Sequence, residues 1–76
     1  MEQHQNEISK DDILRTLEQY IHLRKDREIM AIYLTDYPGS LEKLAEECDV
    51  SKETVKRAIR RNAFIYQYLP GDELKV

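Results

Sequence analysis

Residues 41–59, LEKLAEECDVSKETVKRAI, carry the pattern that decides the fold of this 76-residue chain. Apolar side chains recur in the first half at spacings of three and four, which is typical of the buried face of a short helix. Asp49 and Val50 then interrupt the pattern, and Ser51 favours the cap of a second helix. We therefore predict two short helices joined by a tight turn. The buried face of the first helix comprises Leu41, Leu44, Ala45 and Cys48.

The second predicted helix, from about Ser51 to Asn62, has opposite chemistry on its two sides. Inward positions are expected at Val55, Ala58 and Ile59. Residues 51–62 carry five basic residues against one acidic residue, although the chain as a whole has a net charge of −3. A solvated basic face is the alternative interpretation, in which the last two arginines complement the carbonyl end of the helix dipole. The outward positions are Lys52, Glu53, Thr54, Lys56, Arg57, Arg60 and Arg61.

The stretch Leu41–Ile59 resembles the helix-turn-helix of bacterial regulators such as the DeoR and GntR families. In such a unit the helices approach most closely at a small residue, and Ala45 fills that place. The turn position usually held by glycine is Asp49, a residue type that tolerates a left-handed backbone better than most. The resemblance covers 19 residues closely and extends loosely from Arg27 to the end of the chain, where it implies a winged helix.

The segment before this unit predicts further helices. Ser9 followed by an acidic first turn indicates a helix start. Apolar periodicity then predicts helices over roughly residues 9–23 and 26–36, although a single bent helix is an alternative because no Gly or Pro separates them. The first apolar stripe comprises Ile13, Leu14, Leu17, Tyr20 and Ile21.

The C-terminal segment 63–69 is rich in aromatic and branched residues and is followed by Pro70-Gly71-Asp72, which predicts a β-hairpin completed by the tail 73–76. The expected fold is mainly α, a small helix-turn-helix domain of three to four helices with a short C-terminal β-hairpin, like a winged helix. Residues 8–76 are predicted to form this single domain, with the helix-turn-helix unit at 41–62, after a disordered segment 1–7.

The resemblance and the local charge together predict a DNA-binding protein, in particular a small transcriptional regulator whose helix 51–62 enters the major groove. Arg57 is expected to contact guanine, Glu53 to accept from cytosine, and the methyl group of Thr54 to meet thymine. Lys52 is also expected at the base edges or phosphates. Phosphate contacts are predicted for Ser51, Lys56, Arg60 and Arg61.

A domain of this size buries little surface on DNA, so a homodimer on two half-sites is expected. The stripe that begins at Ile13 and the strand 63–69 are the candidate dimer surfaces. For the C-terminal segment, packing in the core and a DNA-contacting wing are the alternatives. The alternative function is a protein-interaction module with the same fold, which docks on a polymerase, a replication protein or a repressor. The overall acidity of the chain favours that alternative.

Other classes of function find no support in the sequence. His4, His22 and the single Cys48 have no metal-ligand spacing, so neither a metal nor another cofactor is expected. No nucleophile motif or phosphate-binding glycine loop is present, and we predict no enzyme. No effector domain for a small molecule is evident. The longest uninterrupted apolar run, Ile29 to Leu34, is too short to span a membrane, and a cytoplasmic location is expected.

Overall fold

A computed structural model describes residues 9–69, which form four α-helices followed by a short 3₁₀ helix. The predictions for segment 1–7, for the Pro70-Gly71-Asp72 turn and for the tail 73–76 lie outside these residues. The helices are α1 (Lys10–Tyr20), α2 (Arg24–Thr35), α3 (Leu41–Cys48) and α4 (Lys52–Arg61), and the 3₁₀ helix spans Ala63–Gln67.

Three of the four α-helices begin at a serine cap. The hydroxyls of Ser9, Ser40 and Ser51 each accept a hydrogen bond, 3.1 Å long, from the backbone N–H three residues later. Each cap satisfies an amide that has no partner inside its helix, and such a cap stabilises a helix by about 1 kcal/mol. The local sequence therefore specifies where α1, α3 and α4 begin.

The first two helices are separate rather than one bent helix. Residues 21–23 are non-helical, and Ile21 adopts an extended conformation with φ −110° and ψ 112°. This break turns the side chain of Ile21 into the core, where it is 2% exposed. Arg27 holds the turn by donating from Nη1 to the carbonyl of Ile21 over 3.1 Å. Burial of an apolar side chain therefore accounts for the break between α1 and α2, where the sequence contains no Gly or Pro.

Helix α2 lies between two apolar clusters and contributes to both. Met30 belongs to a cluster with α1 and the C-terminal segment, whereas Ile29, one residue earlier, belongs to a cluster with α3 and α4. Full burial of each such side chain stabilises the fold by about 1.5–3 kcal/mol. The first cluster is Ile13, Leu17, Ile21, Met30, Ile65 and Leu69. The second is Ile29, Leu44, Ala45, Cys48, Val55 and Ala58.

The predicted C-terminal β-hairpin is wrong, and the winged-helix-like fold class falls with it. Residues 63–67 form a 3₁₀ helix, and residues 9–69 contain no strand. In this geometry Ile65 and Leu69, four residues apart, are both buried in the first cluster, whereas Phe64 and Tyr68 are exposed. A strand would have placed Gln67, which is exposed, on the same face as Ile65. Packing against α1 overrides the β-propensity of these residues.

Candidate nucleic-acid interface

The turn between α3 and α4 determines how α4 leaves the core. Asp49 has φ 59° and ψ 46°, the left-handed conformation that the resemblance to helix-turn-helix units implied at this position. Its backbone N–H donates to the Glu46 carbonyl (3.2 Å), and the N–H of Val50 donates to the Ala45 carbonyl (3.0 Å). These bonds satisfy carbonyls at the end of α3, as expected for a left-handed helix cap. Three residues separate the end of α3 from the start of α4.

Helix α4 is held to the core by its apolar side. Val55 and Ala58 are fully buried against residues of α2 and α3, and Ile59 is partly buried between the two clusters. These positions, three and four apart, define one side of the helix, so the opposite side is presented to solvent. The three inward positions predicted from the sequence are the ones that pack.

The structure places seven of the eight predicted contact residues in exposed positions on or beside α4. Thr54 is the exception because it is half-buried, and its hydroxyl lies 2.9 Å from Ser51 Oγ within the helix cap. The helical spacing brings Glu53, Lys56, Arg57 and Arg60 together along the outward side. The seven exposed residues are Ser51, Lys52, Glu53, Lys56, Arg57, Arg60 and Arg61.

Both lysines on α4 form ion pairs at the surface. Lys52 Nζ lies 3.2 Å from a carboxylate oxygen of Glu42 on α3, and Lys56 Nζ lies 3.8 Å from Glu53. The hydrogen bond from Lys52 and its charge lower the pKa of Glu42. All four side chains are well exposed, and such pairs are worth about 0–1 kcal/mol. A competing anion can therefore displace either carboxylate at little cost.

Arg57 and Arg60 differ from these lysines. Within residues 9–69, neither guanidinium forms an ion pair. Both side chains are exposed. Arg57 lies one turn after Glu53, and Arg60 lies one turn after Lys56, on the same side of α4. An arginine presents several N–H donors in a planar fork, which matches a phosphate or the edge of a guanine. These two residues have the chemistry best suited to an anionic or hydrogen-bonding partner.

Arg61 has a structural partner that the sequence analysis missed. Its Nε and Nη2 donate to the two carboxylate oxygens of Asp26 over 2.9 and 2.8 Å, and Asn62 Nδ2 donates to the same carboxylate over 2.9 Å. The side chain of Asp26 is 7% exposed and that of Arg61 is 50% exposed. The hydrogen bond from Arg61 holds the pKa of Asp26 below its usual value and raises the pKa of Arg61. Asp26 sits in a charged stretch, so local sequence did not distinguish it from a surface residue.

An open groove lies beside the outward side of α4, between the C-terminal half of α2, the start of α3 and the 3₁₀ helix. Its volume is about 670 Å³. Lys56 and Arg60 contribute to its lining, so these two predicted phosphate contacts also face the groove. No sequence pattern predicted it because its walls come from distant segments. The remaining lining residues are Tyr33, Leu34, Tyr37, Leu41, Ile59 and Tyr66.

Residues 9–69 show neither a cluster of metal ligands nor a membrane-spanning helix. Within residues 9–69, no group of three or more His, Cys, Asp or Glu side chains is arranged to hold a metal ion. Cys48 is buried, and burial raises the pKa of its thiol. None of the helices in the described part of the chain is long and apolar enough to cross a membrane.

In comparisons of sequence and fold, the chain matches no protein-family model, no curated protein and no solved structure.

Proposed function

We propose that this chain is a small transcriptional regulator that binds duplex DNA by placing α4 in the major groove. The observation that carries the proposal is the two-sided character of α4. Val55 and Ala58 are fully buried and hold the helix, while the opposite side carries exposed cations. The major groove is about 12 Å wide, which matches the diameter of an α-helix with its side chains.

The proposed base contacts lie near the start of α4. Arg57 reads guanine through its guanidinium, and Glu53 accepts from cytosine. The ion pair between Glu53 and Lys56 is long and exposed, so Glu53 is available for a base. Thr54 offers its methyl group to thymine, since its hydroxyl is close to Ser51 Oγ. Lys52 contacts a base edge or a phosphate after exchanging Glu42 for that partner.

The proposed phosphate contacts are ranked by the partners that each side chain already has within the protein. Lys56 and Arg60 are the principal ones because both are exposed and neither is held by a buried partner. Ser51 and Arg61 make secondary contacts because the hydroxyl of Ser51 caps α4 and the guanidinium of Arg61 is paired with Asp26. Such contacts set affinity and register, whereas the base contacts set sequence preference.

The protein is proposed to act as a homodimer in the cytoplasm. Of the two predicted dimer surfaces, the α1 stripe is largely used by the monomer, because Ile13, Leu17 and Ile21 lie in its core. The C-terminal segment leaves Phe64 and Tyr68 exposed, at 41% and 47%. We therefore place the dimer contact on this aromatic surface. A reducing compartment is consistent with one buried cysteine in the sequence.

A direct test is fluorescence anisotropy of the full chain on random-sequence duplexes, followed by selection of the preferred site. Affinity should fall steeply between about 50 and 200 mM salt because bound cations release counterions from DNA. Arg57→Ala should cost about 1–3 kcal/mol on the selected site and reduce its advantage over random DNA. Arg60→Ala should weaken both duplexes alike and reduce the salt slope by about one.

Arg15→Ala, on the exposed side of α1, is the matched control and should leave DNA binding unchanged. Equal losses on selected and random DNA for Arg57→Ala would remove Arg57 from base recognition. Absence of binding by the folded protein at tens of micromolar, where non-specific complexes usually form, would contradict the proposal.

The second candidate function is a protein-interaction module. The exposed aromatic pair Phe64 and Tyr68, whose ring centroids are 6.4 Å apart, favours it, as does the net charge of −3. In that case the arginines of α4 meet an acidic protein surface. A folded protein without DNA affinity, together with a partner whose binding is lost in Phe64→Ala, would support this function instead.

A further inference from the structure

The groove beside α4 has an aromatic and aliphatic lining of the size that small ligands use. Tyr33, Tyr37 and Tyr66 converge on it from α2, the segment after α2 and the 3₁₀ helix. The rings of Tyr33 and Tyr37 meet edge to face with centroids 5.4 Å apart. Its volume of about 670 Å³ lies within the range of about 300–1,000 Å³ typical of small-molecule sites. The aromatic walls favour a flat ring.

The charged groups of the groove are of one sign. Among residues 9–69, Lys56 and Arg60 are the only charged residues in its lining. Lys56 is also in a long, exposed ion pair with Glu53, 3.8 Å away. Burial, together with the nearby Tyr33, raises the pKa of the Tyr66 phenol, so this group is uncharged near neutral pH. The groove therefore presents two cations at an apolar surface, and its charge complement is an anion.

We infer that this groove binds a small planar organic anion, an aromatic carboxylate or sulfonate. The ring lies against the tyrosines and Ile59, and the acid group is held by Arg60 and Lys56. An arginine can bind a carboxylate through two parallel hydrogen bonds, which gives the site a preference for anions over neutral molecules of the same shape.

A regulatory consequence follows, and it rests on the proposed function. Lys56 and Arg60 are the principal phosphate contacts proposed above, so the ligand and DNA compete for the same two cations. Because linkage is reciprocal, a ligand that lowers DNA affinity is itself bound less tightly when DNA is present. The groove thus supplies an effector site within the DNA-binding domain proposed above.

The probe we choose is naphthalene-2-carboxylate, titrated into the ¹⁵N-labelled full chain and followed by NMR. Amide shifts should be largest at Tyr33, Tyr37, Ile59 and Tyr66. Naphthalene-2-carboxamide, which is neutral and of the same shape, should bind at least about tenfold more weakly, as expected when a charge-assisted hydrogen bond is lost. Arg60→Gln should weaken carboxylate binding by a similar factor. Arg24→Gln, an exposed cation at the far end of α2, should change it by less than about twofold.

The inference is overturned if the carboxamide binds as well as the carboxylate, if the shifts cluster at Phe64 and Tyr68, or if no saturation appears below about 10 mM. Preferential binding of an acidic leucine-rich peptide would identify a peptide groove instead. Competition with duplex DNA is measured separately by anisotropy. A protein that binds the probe but no DNA would contradict the proposed function and leave the groove assignment standing.

Discussion

At the scale of single residues, Asp26 is the polar group on which the helix arrangement depends most. It lies in the first turn of α2 and receives three hydrogen bonds from two residues at the end of α4. A buried carboxylate is unfavourable unless it is paired and hydrogen-bonded, and here both conditions are met. The network ties together helices that are 35 residues apart in the chain.

The substitution Asp26→Asn tests this network. Loss of the negative charge leaves Arg61 without its ionic partner and should lower the free energy of unfolding by about 2 kcal/mol. Urea denaturation of both proteins measures the difference. Glu28→Gln is the matched control on the same helix, since its ion pair with Lys25 is exposed, and it should cost less than about 0.5 kcal/mol. Equal costs for the two variants would show that the network contributes no more than a surface pair.

The same variant gives a pH dependence with a definite sign. In the folded protein the pKa of Asp26 lies below its ordinary value of 3.8, chiefly because of the hydrogen bond from Arg61. The stability that the charged carboxylate contributes is therefore complete above pH 3.8 and is lost as the pH falls through the lower, folded pKa. The stability difference between wild type and Asp26→Asn should be constant from pH 7 to 5 and shrink below pH 4. A difference unchanged at pH 2 would contradict this assignment.

At the scale of elements, the conformation of the C-terminal segment depends on which of its side chains pack against α1. Ile65 is fully buried, whereas the neighbouring Phe64 remains on the surface. The ring of Tyr68 stacks on Tyr20 of α1 with centroids 4.0 Å apart, which continues the contact at the edge of the core. A 3₁₀ helix allows all of these contacts at once, so it replaces the strand that composition favours.

Alanine substitutions in this segment distinguish the helical from the strand geometry. Ile65→Ala should lower the free energy of unfolding by about 3 kcal/mol because it leaves a cavity in the first cluster. Phe64→Ala should cost about 1 kcal/mol, mostly the aromatic contact with Tyr68. Thermal and urea denaturation compare them. A larger cost for Phe64→Ala than for Ile65→Ala would contradict the packing described.

At the scale of the whole molecule, the net negative charge opposes DNA binding, whereas the basic residues of α4 favour it locally. The net charge is −3, and the exposed side of α3 carries Glu42, Glu46 and Glu47 next to the basic helix. Opposite charges of this kind on neighbouring surfaces lower non-specific affinity and make DNA binding depend more on base contacts. We expect a protein with weak affinity for random DNA.

Removing one acidic charge from α3 tests that balance. Glu46→Gln should strengthen binding to random duplexes about twofold at about 50 mM salt, and the gain should disappear near 200 mM because salt screens the repulsion. Glu18→Gln, on α1, removes the same charge from a helix that packs on α2 and the 3₁₀ helix rather than on α4. It should have a smaller effect. Equal effects of the two variants would mean that only net charge matters.

The sequence by itself determined α3, α4, the helical character of most of residues 9–36 and the chemistry of α4. Serine caps and apolar spacings of three and four are local features, so they predict helices without any tertiary contact. The left-handed turn at Asp49 was implied by the resemblance to helix-turn-helix units. The same reasoning assigned Val55, Ala58 and Ile59 to the inward side of α4 and placed the basic residues on the other side. These residues act through their immediate neighbours in the chain.

Only the tertiary structure decided which residues meet across the chain. Burial of Ile21 separates α1 from α2, packing of Ile65 on α1 turns a predicted strand into a 3₁₀ helix, and Asp26 selects Arg61 from five basic residues of the same segment. The groove likewise assembles side chains from residues 33 to 66. Each outcome depends on a contact between segments that are distant in sequence, and no periodicity or propensity within one segment carries that information.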